Sequence, residues 1–231
     1  MNEVQEIVVA EAWHVRIWRR YRSHFSRKEF NRAAALSAAA FIAGITANGY
    51  AVAYATERAS NPVTDIILSN TPVFDVDTIA VYGMVAFIIF VVVLCLQAPR
   101  RIPFMLYSVG LFFAVRAVFI SLTHLGPFPV HTAIQFTGNI SIFLSQVLIG
   151  GDDLFFSAHT GFPFLMALLF WNQKDLRYFF IICSVFFGAV MLLGHLHYSI
   201  DVLSAFFITY GIYKIALWLF PRERALFLAG D

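Results

Sequence analysis

The chain is 231 residues long, 60% hydrophobic and 13% charged, with a mean hydropathy of +0.74. Soluble domains run near half apolar and about a quarter charged, so the composition argues against a water-soluble fold. The net charge of +2 carries no nucleic-acid signature, because the basic residues sort by loop and not into one patch.

The stretch from Arg16 to Arg32 is basic and leads into a long apolar run with no convincing cleavage site, so it does not read as a signal peptide. Residues 1–32 are expected to form an amphipathic cytoplasmic segment. Trp13, Ile17 and Trp18 would lie in the headgroup layer while Arg16, Arg19, Arg20 and Arg22 reach phosphates; a solvated basic tail is the alternative. Residues 33–220 form the membrane domain. Apolar runs predict spans at Ala33–Ala55, Thr78–Ala98, Phe104–Leu122, Leu154–Trp171, Tyr178–Gly194 and Tyr198–Phe220, each near the roughly 20 residues that cross a bilayer core. The expected fold class is therefore all-α, a polytopic six-helix bundle, with residues 221–231 as a short tail. Thr132–Ile149 is apolar but interrupted by Gln135, Asn139, Ser141, Ser145 and Gln146, which favours an interfacial helix over a seventh span. Cys95 and Cys183 sit inside apolar runs and read as packing residues, with no disulfide or zinc framework.

Charge gives an orientation. Of the 16 Lys and Arg residues, seven precede Ala33, and Arg100, Arg101, Lys174, Arg177, Lys214, Arg222 and Arg224 fall on the same side. The positive-inside rule makes that side, and both termini, cytoplasmic. Glu57, Asp65, Asp75, Asp77, Asp152 and Asp153 gather on the other side, with Arg58 the only loop cation there. Arg116 remains, inside the third span. The short loops suggest a bacterial inner membrane.

Ionisable residues within membrane segments are costly and mark function by default. Here they converge on the outer ends of the spans: Asp153, His159, His195, His197 and Asp201, joined by Arg116, His124 and His131. His197 and Asp201 are four apart, which on a helix places them one turn apart on one face. The carboxylate would hold one ring nitrogen of His197 and leave the other as a nucleophile, although the same spacing also fits a structural polar pair. On a helix His195 would miss that face and is treated as secondary. His159, opening another apolar helix, supplies a second imidazole. An in-line phosphoryl displacement needs one group to attack phosphorus and another to protonate the departing oxygen.

Asp153-x-x-Phe156-Ser157-x-His159-Thr160 and His197-Tyr198-Ser199-x-Asp201 resemble the two signature motifs of the sphingomyelin synthase family, a branch of the type 2 phosphatidic acid phosphatase superfamily. Arg100-Arg101, Arg116 and Leu125-Gly126-Pro127-Phe128-Pro129-Val130-His131 resemble its second motif with one residue inserted, and Pro62-Val63-Thr64-Asp65 its first with a proline replaced. The departures are Ala158 where glycine is usual, the extra Asp152, and Met191-Leu192-Leu193 where the wider superfamily carries an arginine. The resemblance implies a six-helix enzyme with an exoplasmic site and no metal or other cofactor. It makes His197 the phosphohistidine-forming nucleophile, Asp201 its orienting group and His159 the acid and then the base. It implies substrate contacts from Asp153, Ser157, Tyr198 and His131. Arg116 is expected to bind phosphate oxygens, or else to pair structurally with Asp65 or Asp153.

Three functions follow. The first is a phosphotransferase that moves a phospho-headgroup, such as phosphocholine or phosphoethanolamine, from a membrane phospholipid donor to a ceramide or diacylglycerol-like acceptor. The second is a lipid phosphatase or phospholipase C-type hydrolase using the same residues. The third, a transporter or scaffold, ranks last because the polar residues gather at one edge and do not line a path. The motif likeness favours transfer, and an aromatic pocket of Phe155, Phe156, Phe162, Phe164, Tyr198, Phe206 and Phe207 would support it by excluding water. No nucleic-acid partner is expected, and a homo-oligomer is left open.

Overall fold

Long stretches of Leu, Ile, Val and Phe bury their backbone amides in hydrocarbon only when each is bonded within its own segment, and helices do this. The computed structural model describes residues 13–131 and 155–229, and these are all-helical, with no strand among them. In chain order they give α1 (Trp13–Phe25), α2 (Lys28–Glu57), α3 (Met84–Leu96), α4 (Ile102–Leu122), α5 (Ala158–Leu169), α6 (Lys174–Leu193), α7 (Ser199–Leu219) and α8 (Pro221–Leu228). A π-helical turn, Ile79–Gly83, runs directly into α3, and a 3-10 turn, Pro99–Arg101, into α4.

Among the described residues, five helical stretches are long and apolar enough to cross a membrane: Lys28–Glu57, Ile79–Leu96, Pro99–Leu122, Lys174–Leu193 and Ser199–Leu219. The expected fourth span is shorter. Instead of starting at Leu154, its helix starts at Ala158 and ends at Leu169, about 18 Å of rise against a bilayer core of about 30 Å. The cause is local: Phe156 has a positive φ of 25° and Ser157 is extended, so the chain enters the helix late. The segment Thr132–Ile149 lies outside the described residues.

Two helices make the tightest contact. α2 and α4 approach backbone to backbone, because Gly44 faces the Gly110 carbonyl and a Cβ on Gly110 would stand 2.8 Å from the Ala40 carbonyl oxygen. Small residues permit such contact in membranes, where apolar side chains gain nothing by leaving lipid for protein. The fit continues upward: Asn48, 2% exposed, meets Arg116, also 2% exposed. On the other side α5 packs against α6 and α7. A Cβ on Gly161 would lie 2.8 Å from Thr209 Oγ1 and 2.9 Å from the Phe112 ring, and the Ser184 hydroxyl donates to the Thr160 carbonyl at 2.7 Å. Edge-on phenylalanine pairs such as Phe87–Phe180 and Phe112–Phe156 fill the core between these two halves. At the arginine-rich end, α1 reaches the end of α3 through Arg20, whose guanidinium donates to the Gln97 carbonyl, while Trp18 is 70% exposed.

The close α2–α4 approach yields the first prediction. Gly44→Val should lower the melting temperature in detergent by the equivalent of about 1–3 kcal/mol, the usual cost of overpacking. Gly49→Ala, on the same helix with nothing within 4 Å of the added carbon, should leave it unchanged or raise it. Equal melting of the two variants would show that the glycine contact does not hold the helices.

Candidate active site

α6 ends abruptly. Gly194 closes its last turn, His195 adopts φ 52°, and the Leu196 amide returns to the Met191 carbonyl at 2.9 Å. This is a Schellman-type reversal, whose left-handed residue is normally glycine. The chain then passes through His197 and re-enters a helix at Ser199. His197 is thus in the turn and not on the helix, which corrects the reading of His197 and Asp201 as one helical face. Their spacing of four works for another reason. Asp201 occupies the third position of α7, and its carboxylate reaches back over the helix start, accepting the Tyr198 N–H on Oδ2 at 3.0 Å. The same oxygen lies 3.5 Å from His197 Nδ1, side chains 8% and 0% exposed. That separation is longer than a good hydrogen bond, as sites without substrate often show.

His159 sits in the first turn of α5 and is 3% exposed. The Ser157 amide just before it donates to the Asp201 backbone carbonyl at 3.2 Å, so the start of α5 is pinned to the start of α7. His159 lies within electrostatic reach of His197 and Arg116, with the Ala80 carbonyl of the π-helical turn beside its ring. Arg116 donates from Nε to the Phe156 carbonyl at 3.3 Å and from Nη1 to Asn48 Oδ1 at 3.0 Å.

Buried polar atoms are nearly always hydrogen-bonded, and exceptions call for a reason. Here His159 Nε2, His197 Nδ1, Asp201 Oδ1 and Ser157 Oγ are buried without a partner. Such a cluster, holding two imidazoles and a carboxylate, suits a phosphorus centre flanked by a nucleophile and an acid.

The remaining residues divide into frame and periphery. The Tyr198 hydroxyl donates to the Gly126 carbonyl at 2.8 Å and accepts the Val63 N–H at 3.2 Å. It ties the loops after α2 and α4 over the α7 start, and its ring is 1% exposed. Asp65 turns to the same place and away from Arg116. It accepts the Ser199 N–H at 2.7 Å, the Ser199 hydroxyl at 2.8 Å, and the Ile67 and Leu68 amides at 2.9 and 3.1 Å. His131 is exposed, its Nδ1 2.7 Å from the Phe128 carbonyl. His195 is buried, with Nδ1 2.8 Å from the Val130 carbonyl and Nε2 unpartnered. Asp153 and Asp152 lie outside the described residues. The supposed aromatic pocket is dispersed: Phe164 packs on Phe206, Phe155 on Phe119, and Phe207 is 79% exposed. Asn48 escaped sequence reading altogether, though an asparagine amid the alanines and glycines of α2 was the available signal.

Residues 151–218 match the family model described as PAP2 superfamily C-terminal. The match supports the type 2 phosphatidic acid phosphatase superfamily, which includes lipid phosphatases and phosphotransferases, but not the sphingomyelin synthase branch specifically. No curated protein and no solved structure matches the chain. The PAP2 segment contains His159, His197 and Asp201, while Arg116, Asn48, Asp65 and Tyr198's loop partners come from outside it or hold it from above. Together with the apolar spans it fits an integral membrane protein.

The Asp65 cap has a pH signature. Burial pushes its carboxyl up, but the hydrogen bonds from Ser199, Leu68 and Ile67 outweigh this and hold it below the usual carboxylate range. A group depressed on folding stabilises the fold above its unfolded value, near 3.9 for aspartate, and loses that contribution as pH falls through the folded value. Asp65→Asn should therefore melt below the unaltered protein near neutral pH, with the gap narrowing as the medium becomes acid. A gap that stays constant with pH would remove Asp65 as the charged cap of α7.

Proposed function

We propose that the chain is a membrane-embedded lipid phosphotransferase working through a phosphohistidine. The observation that carries this is the meeting of His159, His197 and Asp201, buried and with unpartnered polar atoms, beside a buried guanidinium. Because His197 Nδ1 faces Asp201, the proton belongs on Nδ1 and Nε2 is the nucleophile. Nε2 attacks phosphorus, the bond from phosphorus to the lipid alcohol oxygen breaks, and that oxygen takes a proton from His159. In the second half the acceptor hydroxyl gives its proton to His159 and attacks phosphorus, and the phosphorus–nitrogen bond breaks to restore His197. The buried charge of Arg116, within electrostatic reach of His159, would oppose the negative charge of the phosphate through both steps. On the positive-inside reading the site opens to the outer side of the membrane.

The likeness to sphingomyelin synthase motifs favours ceramide or a diacylglycerol-like alcohol as acceptor. With water in that place the same chemistry is a phosphatase or phospholipase C reaction, and we expect it as a side reaction when no lipid acceptor is supplied. The apolar wall against which His159 stands favours the lipid alcohol. Mixed phospholipids incubated with the detergent-solubilised protein, with and without ceramide, should give a new phosphosphingolipid by mass spectrometry. Diacylglycerol alone would make the protein a hydrolase.

His197→Ala should abolish both transfer and hydrolysis while the protein stays folded, and residual turnover would remove it as nucleophile. For His159→Ala we expect a loss of about 10²–10⁴-fold with a phospholipid and a much smaller one with a nitrophenyl phosphodiester, whose leaving group needs no proton. Equal losses on the two substrates would count against the acid role.

A further inference from the structure

A cavity of about 140 Å³ runs between α2, α3, α4 and α5, and it is apolar throughout except where it meets His159. Its lining on α3 extends from Met84 to Cys95 and on α4 from Phe113 back to Met105, so it follows the helix axes. The His159 end is fixed by Ala80, which lies beside the ring one turn before Met84. Cys95 and Met105 therefore form the far end. Cys95 lies eleven positions along the helix from Met84, a rise of about 16 Å, which is about half of a 30 Å hydrocarbon core, the depth of one leaflet. The cavity also opens sideways. α2 and α3 scarcely touch, and Val92, on the lining, is 49% exposed.

A dry apolar slot one leaflet long, open to the bilayer flank and closed at its head by an imidazole, admits one kind of occupant. Water has no polar partner along its wall, and apolar cavities of this size stay empty of it. We propose that the slot takes one hydrocarbon tail of the lipid alcohol, with its oxygen at His159, and that the Cys95–Met105 floor limits the length of tail accepted. This rests on the reading that His159 serves the lipid alcohol oxygen.

The test uses the unaltered protein in vesicles containing diacylglycerol or ceramide with a photoreactive diazirine placed either near the head or at the end of one chain. The end-labelled lipid should crosslink at Cys95 and Met105, and the head-proximal one at Met84 and Phe162. Labelling of both on outward-facing residues such as Ile89 and Phe207, 58% and 79% exposed, would overturn the slot. Crosslinking requires no turnover, which separates the two ideas. Slot labelling by a protein that moves no phospho group would sink the phosphotransferase reading and keep the slot, whereas transfer without slot labelling would sink the slot alone. Cys95→Trp, which raises the floor, should cut kcat/KM for long-chain relative to short-chain alcohols by about tenfold or more, the scale of discrimination available to an apolar pocket. An unchanged chain preference in the folded variant would overturn the length limit. Should Cys95→Trp not fold, the end-labelled crosslink at Cys95 decides the same point.

Discussion

Asp201 joins three parts of the chain that would otherwise have no reason to meet. Its carboxylate takes the Tyr198 amide and faces His197, and its backbone carbonyl takes the Ser157 amide. With 0% exposure, it is a charge-bearing group placed in an apolar bundle, where an unpaired carboxylate is far too costly to keep. The α7 helix start supplies compensation: free amides at an N-terminus and a dipole that favours negative charge. The carboxylate is therefore tolerable only at this spot, and whatever it orients must come to it. His197 arrives from the α6–α7 turn and His159 from the start of α5.

The loops above the site extend the same logic. Asp65 satisfies the α7 start through Ser199, and the Tyr198 hydroxyl collects a carbonyl from the loop after α4 and an amide from the loop after α2. These contacts fix the backbone on either side of His197 and leave its ring free of them. Segments that resemble separate motifs in the sequence, around Asp65, Gly126 and Tyr198, turn out to be three sides of one clasp. The proposed chemistry falls to the groups left without partners inside it.

Much of the fold was legible because apolar run length is dictated by the bilayer, and the helix limits of α2, α4, α6 and α7 follow it closely. The fourth span was overestimated because Phe155 and Phe156 are apolar whether or not they are helical; composition carries no sign of a positive φ. The His197–Asp201 pairing was readable from spacing, but the geometry behind it was not, since a residue four positions back can be reached across a helix start as well as along a helix face. Two contacts of Arg116 were not readable. Asn48 and the Phe156 carbonyl are brought to it by the glycine contact between α2 and α4 and by a backbone reversal, and both are tertiary facts. The hydrocarbon slot was hidden for the same reason, as its lining residues are individually ordinary membrane-helix side chains.

Two backbone positions with positive φ, Phe156 and His195, flank the site in space, one at the start of α5 and one at the end of α6. A left-handed conformation costs a side-chain-bearing residue about 1–2 kcal/mol, and such strain collects where a fold needs an atom aimed against local preference. At Phe156 the reversal turns its carbonyl to Arg116 while driving the ring, 0% exposed, between Phe112 and Phe119. Burying a phenylalanine ring contributes about 1.5–3 kcal/mol, enough to offset the strain locally. His195 ends α6 in a single turn, so that His197 falls two residues later at the mouth of α7. With a gradual helix end the chain would overshoot, and Asp201 would face solvent or lipid without an imidazole to hold. The strained residues thus set the spacing between the two helix ends, and that spacing lets one carboxylate serve both the α7 start and His197.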